Sequence, residues 1–270
     1  MLYWVYDIPT WAFGAIMAVL FWGTTWLATI ALRPFVHARL RSERRSNDLV
    51  GFTFSSFAVF YGLLLGLLAV AAYQNYSNVG DGVNSEAASL TALYHMASSF
   101  PSSTRDAMQE ELRQYTEDTI SRGWPLQQQG IVPSGGPQRM SVLYSTLLAV
   151  KPHDLAEQAV FSETLRELNH YDELRRVRLN NVTTGIPAVL WYVVAIGALI
   201  AILLVSLFDM ELHVHLILGG IFSLFLGMMI FLIAAMDHPF RGEVSVSPDA
   251  FQSIYNSLMR PKESGGSLKN

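Results

Sequence analysis

Four stretches of this 270-residue chain run for twenty or more residues with almost no charge, at about 11–32, 49–73, 186–208 and 214–236. The hydrocarbon core of a bilayer is crossed by about 20 apolar residues rising roughly 1.5 Å each. Each stretch therefore reads as a membrane span. Composition agrees, with 51% of residues hydrophobic and 15% charged, where soluble domains carry about a quarter charged residues. The opening "MLYWVYDIPT" has no basic n-region, so the first stretch is expected to stay as a helix rather than be cleaved as a signal peptide.

The loop after the first span, "RPFVHARLRSERRSND", carries Arg33, Arg39, Arg41, Arg44 and Arg45. Short arginine-rich loops stay cytoplasmic, which puts both termini and the segment between spans two and three outside. Two features pull the other way. The loop "DMELHVH" has no Lys or Arg, and the tail holds Arg241, Arg260, Lys262 and Lys269. The same five arginines suit either a topology signal or contact with anionic lipid headgroups.

The expected fold is an all-α membrane protein with two spans, an extramembrane helical bundle over 74–185, two more spans, and a docking segment with a disordered tail over 237–270. Val79, Val83, Ala87, Leu90 and Leu93 recur at helical steps just past span two, although Gly80 and Gly82 weaken that start. Pro101 ends this helix, and Ser102 and Ser103 are expected to cap the next. "GWPLQQQGIVPSGGPQR" reads as a surface loop. "MSVLYSTLLAV" is a short apolar helix. The helix from 154 to 181 has Phe161, Leu165, Leu168, Tyr171 and Leu174 on its apolar face. After span four, "EVSVS" alternates as a short strand does. "PDAFQSIYNSLM" reads as an amphipathic helix with Phe251, Ile254, Tyr255 and Leu258 on one side.

Span two carries a stripe of mostly small residues, Gly51, Ser55, Ala58, Gly62, Gly66, Ala69 and Tyr73. The steps of three and four put them near one helix face. Two readings stand. Small residues let helices pack closely in lipid, within one chain or between chains, or they leave room for ions along a narrow pore. Span four repeats the device as a second packing face with Gly219, Ser223 and Gly227. Phe52, Phe57 and Phe60 fit an apolar constriction in an oligomer, or packing against lipid and neighbouring helices. The span centres lack charge, which argues against a proton-driven pump and is compatible with a channel.

Other polar clusters have plain readings beside sharper ones. Asp209, Glu211, His213 and His215 have divalent-metal ligand types but equally make a polar turn, so no metal is assigned. Arg175, Arg176 and Arg178 either attract anions at a mouth or pair with Asp172 and Glu173 three or four residues earlier. Asp237 and Arg241 either anchor the segment leaving span four or form a mouth. There are no cysteines, which excludes disulfides and thiolate metal sites. No catalytic constellation or phosphate-cradling loop is found, "PSGGPQ" lacking the P-loop lysine. The chain is thus read as no enzyme and no cofactor is implied. A net charge of −4 gives no reason to propose nucleic acid.

Four segments carry a resemblance: "NSEAASLTALY" (84–94), "QYTEDTISRGWP" (114–125), "RRVRLNNVTTGIPAVLWYV" (175–193) and "MDHPFRGEVSVSPDAF" (236–251). Together with the two-plus-two spans they resemble the bestrophin-like family of mostly bacterial membrane proteins. The resemblance implies a multi-pass protein of the bacterial inner membrane. It also implies a distant likeness to bestrophins, which are pentameric anion channels with apolar pore constrictions and their bulk in the cytosol. The acidic calcium-binding cluster of the animal bestrophins is not seen here. The expected function is an oligomeric ion channel, anions favoured through the resemblance alone, with the lipid bilayer, further copies of the chain and inorganic ions as partners. The alternative is a non-conducting sensor or scaffold whose extramembrane bundle binds a partner.

Overall fold

The computed structural model describes residues 3–39 and 45–260, with side chains described within 5–38 and 47–260. Among these residues the regular elements are all helical. They are α1 (Thr10–Arg39), α2 (Arg45–Ala97), α3 (Ser102–Asp118), α4 (Trp124–Gln128), α5 (Gly136–Leu148), α6 (Leu155–Asn181), α7 (Ala188–Ser206), α8 (Leu212–Met236) and α9 (Asp249–Ile254). Wider π turns follow α3 at Thr119–Gly123 and α9 at Tyr255–Met259. Helices α1, α2, α7 and α8 are long and apolar enough to cross a membrane. Over the described residues the chain forms two compact units, 3–76 with 185–238 and 242–244, and 77–184 with 239–241 and 245–260.

In the first unit, Tyr61, Leu65 and Leu68 of α2 share a core with Val194, Ala198 and Ala201 of α7 and Leu226, Ile230 and Ile233 of α8. The Tyr61 hydroxyl donates to the Val194 carbonyl at 2.7 Å. This contact depends on a glycine, since a Cβ at Gly197 would lie 2.2 Å from the Tyr61 ring. Helix α8 meets α1 through the same device. A Cβ at Gly227 would lie 3.1 Å from the Met17 carbonyl and one at Gly219 3.4 Å from Thr25, with Ser223 buried between them. Small residues let two backbones approach where no hydrophobic effect drives association. The outward surface is apolar, with Val59, Phe60, Leu63, Leu67, Leu199, Ile217 and Phe225 among its exposed side chains. Such a surface fits hydrocarbon rather than water.

In the second unit, the periodic face of α2 is buried as expected: Val79, Val83, Ala87, Leu90 and Leu93. It packs in a core that also holds Met108, Leu112 and Tyr115 of α3, Leu143 and Leu147 of α5, Leu168 and Tyr171 of α6, and Phe251 of α9. Four local expectations are corrected. Gly80 and Gly82 do not interrupt α2, which is one 53-residue helix. Two interior glycines cost about 1 kcal/mol each, and burial of Val79 and Val83 beside them outweighs that. Pro101, not Ser102 or Ser103, is the N-cap of α3, with no side-chain cap bond. The Gly/Pro/Gln-rich stretch is only partly a loop, because Trp124 and Gln127 are buried in the short helix α4. "EVSVS" forms no strand. A strand needs partners, and the Val246 N–H instead turns back to the Pro239 carbonyl at 2.8 Å.

Candidate functional site: the small-residue face and the ionic core

On α2 the inward residues are Tyr61, Leu65, Leu68 and Ala72. The small-residue stripe is rotated off that face. Gly62 is exposed and Gly66 half-buried, and a Cβ on either would meet nothing within 4 Å. Ser55 is exposed, Ala58 and Ala69 are half-buried, and Tyr73 is 57% exposed. Of the stripe's glycines Gly51 alone has a close neighbour, the Phe208 ring at 3.6 Å from its would-be Cβ, and Ala69 packs against the core of the unit. Among the described residues of one chain, then, Gly62 and Gly66 support no helix contact, whereas Gly219, Ser223 and Gly227 do. Phe52 and Phe60 point outward, and Phe57 stacks on Tyr61 with centroids 5.4 Å apart.

Where α7 turns into α8, the four metal-type residues do not converge. His215 is buried with Nε2 2.9 Å from the Val205 carbonyl. Asp209 lies 3.5 Å from His37 of α1. Its backbone is held from both sides by Asn47, at 2.7 and 2.8 Å. Among the described residues no group of three or more His, Asp and Glu could hold a metal ion. Arg33 lines a cavity of about 10 Å³ with Thr29, His37, Ser206 and His215. Arg41 and Arg44 lie outside the described residues, as do the side chains of Arg39 and Arg45.

At the other end of α8, Asp237 is buried and accepts from the Ile186 N–H and from Trp191 Nε1 at 3.2 Å, with His238 Nδ1 also 3.2 Å away. It thereby fixes the chain entering α7. Arg241, in the second unit, donates to the Gln129 carbonyl at 2.6 Å and lies against Gly130.

The second unit contains a site that the sequence reading did not single out. The buried stripe of α6 runs Thr164, Leu168, Tyr171, Arg175, Arg178, turning ionic towards its C-terminus. Arg178 meets Glu86 of α2 at 2.6 and 3.0 Å, donates to Gln127 at 2.8 Å, and reaches the Tyr115 hydroxyl at 3.3 Å. Its guanidinium also lies 5.5 Å from the Trp124 ring centroid and 5.6 Å from that of Phe251. Burial acts to lower the Arg178 pKa, but the Glu86 and Tyr115 oxygens more than offset it and hold the group above the ordinary arginine value. Burial likewise holds the Tyr171 phenol well above its usual pKa, with Tyr115 and Glu86 adding to the effect. Removing either partner of such a buried pair would leave an uncompensated charge.

Arg175 and Arg176 pair with Asp172, at 3.1 and 2.6 Å, as their spacing suggests, while Arg178 departs from that pattern. One signal was available for this core. Glu86 falls on the same buried face as Val83 and Leu90, an apolar run into which a carboxylate fits only with a buried partner.

The model of the bestrophin-like domain matches residues 19–251 of the chain. No curated protein and no solved structure matches it.

Proposed function

The chain belongs to the bestrophin-like family, and on that premise we propose that it is an oligomeric ion channel conducting inorganic anions, its path lined by the small-residue face of α2. The observation that carries this reading is the open stripe. Among the described residues Gly62 and Gly66 meet no neighbour, although Gly197, Gly219, Gly220 and Gly227 of the same unit are consumed by packing. When copies gather around an axis, that face supplies a narrow, side-chain-poor wall. The wall carries no charge, so discrimination falls to the mouths and to apolar constrictions. Phe52, which points away from the core and lies about a quarter-turn from the stripe, is the candidate for such a ring, whereas Phe60, two residues before Gly62, lies on the opposite side of the helix. The spans are arranged two plus two in a bacterial inner membrane; the arginine loop places the N-terminus outside, against the cytosolic bulk that the likeness to bestrophins implies.

The test is ion flux through purified protein in liposomes under separate chloride and potassium gradients, beside empty liposomes. Unitary current steps reversing near the chloride potential support the proposal. Silence from folded, oligomeric protein across voltage, pH and calcium removes it and leaves a non-conducting scaffold.

A further inference from the structure

A groove of about 290 Å³ runs along the outer side of α6, beside α5. Asn169, Glu173, Arg176 and Asn180 follow one another at steps of four, three and four, so they share one helix face. Tyr144 reaches the groove from α5, its hydroxyl donating to Asn169 Oδ1 at 2.8 Å. Burial, with Asp172 nearby, raises the Tyr144 pKa, so the phenol keeps that proton. Val177, about half exposed, adds an apolar patch.

The charges along this groove are unbalanced at two neighbouring points. Asp172 spends one oxygen on Arg175 at 3.1 Å and the other on Arg176 at 2.6 Å. Two guanidiniums on one carboxylate leave an excess positive charge. Arg176 carries it into the open, its side chain 73% exposed. Glu173 is exposed too, and among the described residues it takes part in none of the ion pairs of α6. An excess negative charge therefore stands less than one helical turn from the excess positive one.

This pattern discriminates between ligands. A simple anion is repelled by Glu173 and a simple cation by the guanidiniums. A divalent metal needs carboxylate oxygens, and both of those of Asp172 are taken. A small zwitterion is attracted at both points. The carboxylate of an amino acid suits the planar fork of Arg176, and its ammonium suits Glu173. The amides of Asn169 and Asn180 add donors and acceptors. The volume lies just below the range of small-molecule sites, about 300–1,000 Å³. Val177 and the Tyr144 ring offer a surface for the ligand's side chain.

We propose that this groove binds a free amino acid. The site lies within the second unit alone and is independent of the channel reading.

The test uses the full chain purified in detergent. The L-amino acids are titrated singly, beside their N-acetyl derivatives, which lack the ammonium, and their amides, which lack the carboxylate. Binding is followed calorimetrically and through the unfolding temperature. At least one amino acid is expected to bind saturably at one site per chain and to raise the unfolding temperature with the logarithm of its concentration above Kd. Each derivative loses one charge-assisted bond and should bind about tenfold more weakly or worse.

Glu173→Gln and Arg176→Gln each remove one charge at an exposed position. Each should weaken binding by about tenfold or more and leave the unfolding temperature of the ligand-free protein nearly unchanged. Val177→Trp keeps both charges, fills the groove and should abolish binding. No response to any amino acid overturns the proposal. So does binding that is as tight for the N-acetyl or amide form, or undiminished in any of the three variants.

Discussion

The guanidinium of Arg178 holds the carboxylate of Glu86 at 2.6 and 3.0 Å across 92 positions of sequence, with both side chains closed off from solvent. Breaking a buried pair by removing one partner leaves an uncompensated charge and costs about 3–5 kcal/mol, whereas replacing both by apolar residues is often near neutral. Glu86→Ala and Arg178→Ala should each lower stability by that amount in chemical unfolding of the purified protein. Glu86→Leu combined with Arg178→Met should cost less than either single change. If the two single losses simply add, the pair is not coupled as the geometry indicates.

Glycines of the first unit divide into two classes. A methyl at Gly197 collides with the Tyr61 ring, and one at Gly227 presses on the Met17 carbonyl and Phe21. Overpacking of this kind costs about 1–3 kcal/mol, so Gly197→Ala and Gly227→Ala should lower the yield and unfolding temperature of the protein. Gly62→Leu and Gly66→Leu meet open space and should leave the fold of one chain intact. In the channel reading, Gly62→Leu cuts conductance with the oligomer preserved on size exclusion. Loss of the oligomer first assigns the stripe to contact between copies instead.

Burial keeps the Tyr171 phenol well above its usual range. A group whose folded pKa is raised contributes stability that is complete below its unfolded pKa, about 10 for tyrosine, and is lost as pH rises towards the folded value. The helical unit should therefore loosen at alkaline pH, with the tyrosinate absorbance of Tyr171 appearing together with the loss of helical circular dichroism. Tyr171→Phe keeps the ring and removes the ionisation, so it should shift that alkaline transition upward.

Regular burial was readable from the sequence and direction was not. The steps of Val79, Val83, Ala87, Leu90 and Leu93 identify a buried face because period alone decides it. Small residues are ambiguous, since they mark a packed face at Gly219, Ser223 and Gly227 and an open one at Gly62 and Gly66. Only the placement of α1, α7 and α8 separates the two. The ionic core stayed hidden for another reason. Arg175, Arg176 and Arg178 look like one surface charge run, and spacing assigns Arg175 and Arg176 to Asp172, but Arg178 is turned inward to a carboxylate that only the tertiary fold brings near. Gln127 was masked by composition, its Gly, Pro and Gln neighbours reading as a loop while its side chain is buried and accepts from Arg178 at 2.8 Å.

The turn after α4 closes on a residue that must be glycine for two separable reasons. Gly130 has φ +74°, and a Cβ there would lie 1.8 Å from Nη2 of Arg241, which donates to the neighbouring Gln129 carbonyl. The left-handed backbone alone costs about 1–2 kcal/mol for a residue with a Cβ, and displacing the guanidinium adds the loss of a charge-assisted hydrogen bond, about 1.5–3 kcal/mol. Gly130→Ala should therefore destabilise by roughly the sum. In an Arg241→Ala background only the backbone part remains, so the same change should cost about 1–2 kcal/mol. A double-mutant cycle on the unfolding free energy reads the difference directly. Equal penalties in the two backgrounds would mean that Arg241 does not hold this turn.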